Sequence, residues 1–227
     1  MAEPIIARQA EIADLYFRTG SFQSGGEWKF SIHRLHPELP PSPSYLHYPS
    51  DTDPRDPLVA DLFDLIGVEF HDICDELDID PTHIGPIPNG SVPLGEELSK
   101  TYPEGTDRLA RFTKHTDPDT DLVSFTGPEP DHLYVPGDKL VPIEDHLTAA
   151  TNSDAFITVA ENAGFVVNHL LCVVDRRQGG RQRLERRGIQ VASILTLDTL
   201  LDHGVKHRHI LRATAEETLR YRDANQF

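Results

Sequence analysis

The feature that most constrains the fold is the alternation of short apolar runs with helical segments between residues 82 and 204. Alternating strands and helices at this spacing imply a mostly parallel sheet with right-handed crossovers. The fold class predicted here is therefore α/β, a doubly wound, mostly parallel sheet flanked by helices. The predicted strands are Thr82 to Ile87, Leu109 to Phe112, Lys139 to Ile143, Val166 to Val174 and Ile189 to Leu195.

The rest of the chain is assigned around this core as one domain covering residues 1–227. Residues 1–55 are predicted to form a helix and an irregular hood, because prolines alternate with aromatic residues there. Residues 56–204 form the α/β core, whose polar stretch 113–136 is long enough for a functional lid. Residues 205–227 are predicted to be a polar terminal helix or tail.

Composition narrows the classes of partner. The chain has 37 acidic residues and 21 lysines and arginines, a net charge of −16. Such a field repels nucleic acid and anionic lipid, so neither is an expected partner. No apolar run approaches the roughly 20 residues that a membrane span needs. With two cysteines in a chain of this length, we expect a soluble cytoplasmic protein with reduced thiols.

Two adjacent acids, Glu144 and Asp145, follow the predicted strand Lys139 to Ile143. Ligands of doubly wound sheets bind beyond the carboxyl ends of the strands. Neighbouring carboxylates can accept hydrogen bonds from a vicinal diol, and a turn of small residues before a helix can hold a phosphate. These features together predict a ribose 5-phosphate site. The turn residues are Thr148, Ala149, Ala150, Thr151 and Asn152.

The segment Val141 to Asn152 resembles the phosphoribosyl pyrophosphate motif of type I phosphoribosyltransferases, with an apolar strand, two acids and a turn rich in Thr and Ala. The continuation from Val173 through Gly180 to Leu197 is similar to that of orotate phosphoribosyltransferases. The stretches 42–45 and 85–94 occupy the expected order upstream. The resemblance spans roughly Glu11 to Gly204 and is most specific from Lys139 onward.

The resemblance implies roles for individual residues. Glu144 and Asp145 would hold the ribose diol, with Asp145 also acting in catalysis, and residues 148–152 would hold the 5-phosphate. Arg176 would pair with the orotate carboxylate, because a planar guanidinium fork matches a carboxylate. The other implied substrate contacts are Tyr45 in the hood, Asn89 in the pyrophosphate loop, and the pyrophosphate-contacting cations Arg111, just before the lid, and Lys114 within it, of which Lys114 would also be catalytic.

The implied reaction transfers the phosphoribosyl group of phosphoribosyl pyrophosphate to orotate, giving orotidine 5'-monophosphate and pyrophosphate. The resemblance also implies Mg²⁺ as cofactor, bound mainly through phosphoribosyl pyrophosphate, and a homodimer. No metal site made by the protein itself is predicted. His203, His207 and His209 follow a helix end without the spacing of a closed site.

Two alternatives stay open at this point. The lid contains Asp117, Asp119 and Asp121, and Lys29 is displaced from the position where the family places a lysine. Both features are also compatible with a non-catalytic protein that senses a phosphoribosyl ligand and regulates a partner. The second alternative is a phosphoribosyltransferase for another base, because Arg176 alone does not fix the choice of base.

Overall fold

The computed structural model describes residues 5–29, 33, 37–47, 56–88, 90–102, 108–118, 122–129 and 134–227. The helices are α1 (Ala7–Arg18), α2 (Pro57–Glu76), α3 (Val92–Lys100), α4 (Thr151–Asn162), α5 (Gly180–Glu185), α6 (Leu197–Lys206) and α7 (Arg212–Ala224). The strands are β1 (Phe22–Trp28), β2 (Ser42–Leu46), β3 (His83–Pro86), β4 (Thr113–Thr116), β5 (Val123–Thr126), β6 (Leu140–Leu147), β7 (His169–Asp175) and β8 (Gln190–Thr196).

The centre of the molecule is a four-stranded parallel sheet in the order β3-β6-β7-β8. Strand β7 is apolar on both faces. Its Leu171 and Val173 belong to one hydrophobic core, whereas Leu170 and Cys172 belong to the other. Successive side chains of a strand point to opposite faces, so helices must cover both sides of this sheet. The predicted α/β architecture is confirmed.

The helices supply the two cores. On one side, α1, α2, α3 and α6 bury apolar faces that include Ile12, Leu62 and Leu94. On the other side, α4 buries Phe156 and α5 buries Leu184, both with no exposed surface. The periodic apolar residues of each helix thus point toward the sheet. The carboxyl ends of β6 and β7 are left open for a ligand.

Strand β6 continues to Leu147, four residues beyond the predicted end at Ile143. Its parallel pairing with β7 persists through the acids, with Glu144 opposite Cys172 and Leu147 opposite Asp175. The predicted end of this strand at Ile143 is therefore wrong, because ladder hydrogen bonds to a buried neighbour hold the polar residues that follow it extended. Helix α4 begins at Thr151, directly after the turn of small residues.

The described part of the predicted lid contains an antiparallel hairpin, β4 with β5, in which Lys114 pairs with Phe125. The Phe125 ring packs edge to face against Phe156 of α4, at 5.6 Å between centroids. This segment is therefore a hairpin fixed to the core rather than a structureless loop. The predicted strand Leu109 to Phe112 is reduced to a single parallel bridge between Leu109 and Ile84.

The hood and the terminal helix lie against each other. Strands β1 and β2 form a short antiparallel pair in the hood, as the short-stranded interpretation of this segment expects. The Tyr221 hydroxyl of α7 lies 3.2 Å from Nε2 of His33 in the hood. Within the described ranges, no helix combines the length and the apolar character that crossing a membrane requires.

We expect Phe156→Ala to lower the free energy of unfolding by about 3–5 kcal/mol. Phe156 is fully buried and its ring contacts Phe112 at 4.6 Å as well as Phe125, so truncation leaves a cavity between α4 and the hairpin. Urea denaturation measures the change. The control Val68→Ala removes an exposed side chain of α2 and should stay within about 0.5 kcal/mol of the parent. Equal effects of the two variants would contradict this account of the core.

Candidate active site

A cavity of about 360 Å³ opens at the carboxyl ends of β6 and β7. It brings together most of the substrate contacts that the sequence predicts. These are Tyr45, Glu144, Asp145, Thr148, Ala149, Ala150, Thr151, Asn152 and Arg176. Because they come from the hood, one strand, one turn and the neighbouring strand end, the cavity could not be read from any single motif.

The two acids of the cavity are each held by hydrogen bonds. Glu144 accepts a hydrogen bond of 2.6 Å from the Ser153 hydroxyl in the first turn of α4. The Asp145 backbone N–H donates to the Ser91 hydroxyl at 3.0 Å, and its carboxylate accepts from the backbone N–H of His146 at 2.7 Å. These contacts fix the direction of both carboxylates.

The acids also differ in protonation. Burial raises the pKa of Glu144 well above its usual range, and the adjacent negative charge of Asp145 raises it further. Burial acts in the same direction on the pKa of Asp145, but the charge and hydrogen bonds of His146 outweigh it and lower that pKa. Glu144 therefore keeps a proton to a higher pH than an exposed glutamate, while Asp145 is ionised.

His146 connects the acid pair to helix α1. Its Nε2 lies 2.8 Å from the Tyr16 hydroxyl, and its Nδ1 lies 3.4 Å from an Asp145 carboxylate oxygen. The histidine side chain is 9% exposed and Tyr16 is fully buried, so the imidazole has little freedom to move. A histidine held in this way can fix the position of Asp145 and stabilise its charge.

The turn after β6 is suited to binding an anion. Ala150 has a left-handed backbone conformation (φ 57°), and α4 starts directly after it. The N–H groups of a first helical turn have no partner within the helix and point toward the N-terminus. Thr151 and Asn152 stand at this position and line the cavity.

Gly180 supports this turn from behind. Its N–H donates to the Thr148 carbonyl at 2.8 Å. A Cβ atom at position 180 would lie 2.4 Å from that oxygen and 3.0 Å from the Ala150 nitrogen. Only glycine permits this close approach of two backbone segments.

Arg176 provides a buried positive charge at the other side of the cavity. It is 2% exposed, and its Nε donates to the Gln178 side chain at 3.1 Å. Burial lowers its pKa to about 10, against the opposing influence of Tyr221, so the guanidinium is still charged at neutral pH. Such a group can bind a planar carboxylate.

Residues 225–227 pack on the loop that carries Arg176 and Gln178. The Gln178 side chain donates to the Asn225 carbonyl at 2.9 Å, and the Phe227 N–H donates to the Gln178 carbonyl at 3.1 Å. A Cβ atom at Gly179 would lie 2.0 Å from the Phe227 carbonyl oxygen. The loop that carries Arg176 is thus covered by the segment 225–227.

The two cations predicted to contact the pyrophosphate lie in a different cavity. Arg111 and Lys114 line a space of about 260 Å³ beside Pro88, and the Arg111 guanidinium lies 3.3 Å from the Glu96 carboxylate. Lys114 nevertheless influences the acid pair, because its charge acts to lower the pKa of Glu144. Their predicted contact with substrate stays a prediction.

The predicted pyrophosphate loop is described at its two ends only. Asn89 lies outside the described residues. At the neighbouring Gly90, a Cβ atom would lie 2.5 Å from an Asp145 carboxylate oxygen. The backbone at Gly90 therefore lies directly against Asp145.

Sequence reasoning missed four residues of the cavity lining. Lys29, Leu46, His146 and Ser153 also line it. The sequence interpretation treated Lys29 as displaced, yet the hood places it beside the acid pair and the phosphate turn. The sequence does offer one indication of this role: lysine is rare, with only five in the chain, and Lys29 lies next to a strand of the hood.

Comparisons with known proteins agree with this geometry. No protein-family model matches the chain. The orotate phosphoribosyltransferase of Methanocella arvoryzae is 28% identical over 127 residues, which cover 48% of this chain and 73% of that protein. The structure of Leishmania donovani UMP synthase matches with a TM-score of 0.73 at 16% identity, over 95% of this chain and 42% of that one.

The crystal structure of Aeropyrum pernix orotate phosphoribosyltransferase matches with a TM-score of 0.58 at 20% identity, over 84% of this chain and 97% of that one. The chain has the type I phosphoribosyltransferase fold. The resemblance to orotate phosphoribosyltransferases is confirmed by these relatives. The chain spans less than half of the Leishmania UMP synthase.

We expect Glu144→Gln to raise the Tm at neutral and alkaline pH. Because the folded-state pKa of Glu144 is raised, its contribution to stability is complete below the unfolded pKa of about 4.3 and is lost as the pH rises through the folded value. The neutral amide avoids this loss, and each kcal/mol gained adds about 2–4 °C in a chain of this size. Thermal denaturation across pH measures the difference.

The gain in this variant should disappear near the ordinary glutamate pKa. The control Glu76→Gln changes an exposed acid at the end of α2 and should show no pH-dependent gain. A Glu144→Gln variant that is less stable than the parent at alkaline pH would contradict the assigned protonation.

We expect Gly180→Ala to destabilise the protein by about 1–3 kcal/mol. The added methyl group meets backbone atoms of Thr148 and Ala150, which cannot rotate away as a side chain could. Thermal denaturation reports the loss, and Arg186→Ala, an exposed change at the end of α5, is the control. Unchanged stability of Gly180→Ala would show that the phosphate turn is not held by this contact.

Proposed function

We propose that the protein is a phosphoribosyltransferase that transfers the phosphoribosyl group of phosphoribosyl pyrophosphate to orotate, giving orotidine 5'-monophosphate and pyrophosphate. The observation that carries the proposal is the convergence of an acid pair, a phosphate-binding turn and a buried arginine in one cavity. The relatives named orotate phosphoribosyltransferase support the choice of reaction.

The phosphoribosyl half of the substrate fits the β6 side of the cavity. Glu144 and Asp145 accept hydrogen bonds from the ribose hydroxyls, and the amides of residues 148–152 bind the 5-phosphate. The helix N-terminus provides local positive potential in a chain whose net charge is −16. An anionic substrate requires such a region of positive potential, because the protein as a whole is negatively charged.

The base fits the side of the cavity formed by the hood and Arg176. The guanidinium binds the orotate carboxylate, an interaction that low exposure strengthens. Tyr45 lines this side of the cavity, and its ring is held by stacking with Trp28 at 6.3 Å and with His47 at 5.3 Å between centroids. A wall of this kind suits a flat, anionic base.

Catalysis in this proposal depends on positioning and on charge. Transfer passes through an oxocarbenium-like state in which negative charge grows on the departing pyrophosphate. Asp145 holds the ribose, and Lys114, with Arg111 and Asn89, stabilises the leaving group. The carboxylate oxygens of the acid pair are of the type that Mg²⁺ prefers, and the ion supplies further neutralisation of the pyrophosphate when it is bound.

A second candidate function is a non-catalytic sensor of a phosphoribosyl ligand. The described residues of the lid, 113–118, 122–129 and 134–136, contain Lys114 as their one lysine or arginine and also contain the exposed Asp117. A lid with so little positive charge favours ligand binding without strong stabilisation of a leaving group. The enzyme is expected to turn over its substrates and the sensor is not, so an activity assay distinguishes the two functions.

The proposal is tested by the loss of orotate absorbance when the protein is mixed with orotate, phosphoribosyl pyrophosphate and Mg²⁺. We expect turnover, and we expect Arg176→Lys to lower kcat/KM for orotate by about 10- to 100-fold, because lysine keeps the charge but lacks the planar fork that pairs with a carboxylate through two hydrogen bonds. The double variant Glu144→Gln with Asp145→Asn should abolish turnover. The exposed change Arg186→Ala should leave it unaltered.

Each outcome decides between the candidates. Absence of turnover by folded protein at every salt concentration would contradict the proposed enzymatic function. A rise in Tm with phosphoribosyl pyrophosphate but without turnover would support the sensor. Turnover with another base and not with orotate would support phosphoribosyl transfer as the reaction and would contradict orotate as the substrate.

A further inference from the structure

Asp14, His203 and His209 form a cluster on the α1 side of the molecule, which we call the Asp14 cluster. Nε2 of His203 and Nε2 of His209 lie 2.9 Å and 2.7 Å from the same carboxylate oxygen of Asp14. One ligand atom from each of the three residues lies within 4.8 Å of the other two. None of the three lines the cavity described above.

Neighbouring rings hold both imidazoles in place. Phe17 stacks on His209 with an interplanar angle of 6° and 5.0 Å between centroids. His207 stacks on His203 at 4.1 Å between centroids. The stacking fixes the planes of the two rings while their Nε2 atoms converge on Asp14. The arrangement is thus held before any ion binds.

The cluster is accessible and lies in an acidic part of the surface. The side chains of Asp14 and His209 are 38% and 24% exposed, whereas His203 is 5% exposed. Asp14 also lines a neighbouring open cavity, in which the acids Glu11, Asp61 and Asp64 outweigh the charge of Arg18. A cation can therefore reach the cluster and is attracted to it.

We propose that Asp14, His203 and His209 bind a divalent first-row transition-metal ion such as Zn²⁺, with water completing the coordination. Two imidazole nitrogens and one carboxylate oxygen suit such an ion better than Mg²⁺, which prefers oxygen ligands. An ion about 2.0–2.2 Å from each donor requires the donors to separate to about 3.3 Å in tetrahedral geometry. The present N–O distances of 2.9 Å and 2.7 Å need to grow by less than one ångström, and the ligand nitrogens of the two histidines, which lie within 4.8 Å of each other, need to reach the same separation.

The bound ion would join two elements that are distant in sequence. Asp14 belongs to α1, whereas His203 lies on α6, 189 positions later. Helix α1 also carries Tyr16, whose hydroxyl contacts His146 beside the acid pair. The ion would therefore stabilise the junction of α1 with α6, and through α1 the support of His146. The site itself does not depend on the proposed function.

The experiment is a calorimetric titration of the tag-free full chain, treated with chelator, with ZnCl₂ at neutral pH. We expect one Zn²⁺ per chain. The Tm should rise by about 5–10 °C when free Zn²⁺ exceeds the Kd about 100-fold. Co²⁺ in place of Zn²⁺ should give visible absorption bands of a nitrogen- and oxygen-ligated ion.

The variants His209→Ala and Asp14→Asn should each weaken Zn²⁺ binding about tenfold or more while the protein stays folded, because both residues are partly exposed. His71→Ala is the matched control. It removes one histidine from an exposed pair in which Nδ1 lies 3.7 Å from Asp75, and it should leave the affinity unchanged. No stoichiometric binding, or binding that His209→Ala and Asp14→Asn leave unaltered, would overturn the proposal.

Discussion

Two adjacent carboxylates at the partly buried end of β6 set the main requirement on this structure, because like charges removed from water repel each other. The protein meets the requirement by giving the two carboxylates different pKa values. Burial and the neighbouring charge favour a proton on Glu144, whereas His146 keeps Asp145 ionised. Ser153, Ser91 and the backbone at Gly90 complete the surroundings of the pair. The phosphate turn, the loop near Gly90 and helix α1 all meet at this point.

The parallel sheet was predictable because strands covered on both faces are apolar along their whole length, and β7 shows this from Leu170 to Val174. The end of β6 was not predictable. Its polar residues stay extended through pairing with β7, a contact between segments far apart in sequence. The hairpin in the lid was missed because its local pairing, in which Phe125 lies opposite Lys114, is supported by packing of Phe125 on Phe156 of α4, a contact that the local sequence does not show.

The candidate site was predictable where its residues are contiguous, as in 144–152, or belong to a recognisable stretch, as Arg176 does. Lys29 and Ser153 were missed because their place depends on how the hood and α4 fold over β6. The Asp14 cluster was missed because its carboxylate comes from the other end of the chain. The contacts of Arg111, Lys114 and Asn89 with substrate, the Mg²⁺, the homodimer and the cytoplasmic location stay predictions.

The segment 225–227 lies on the loop that carries Arg176 and leaves no room for a side chain at Gly179. Residues that never line the cavity thereby restrict how its arginine loop can vary during evolution. The atoms that a side chain at position 179 would meet are backbone atoms of Phe227, so no exchange of the Phe227 side chain would make room for it. Glycine is therefore required at position 179 by a segment that is remote in sequence.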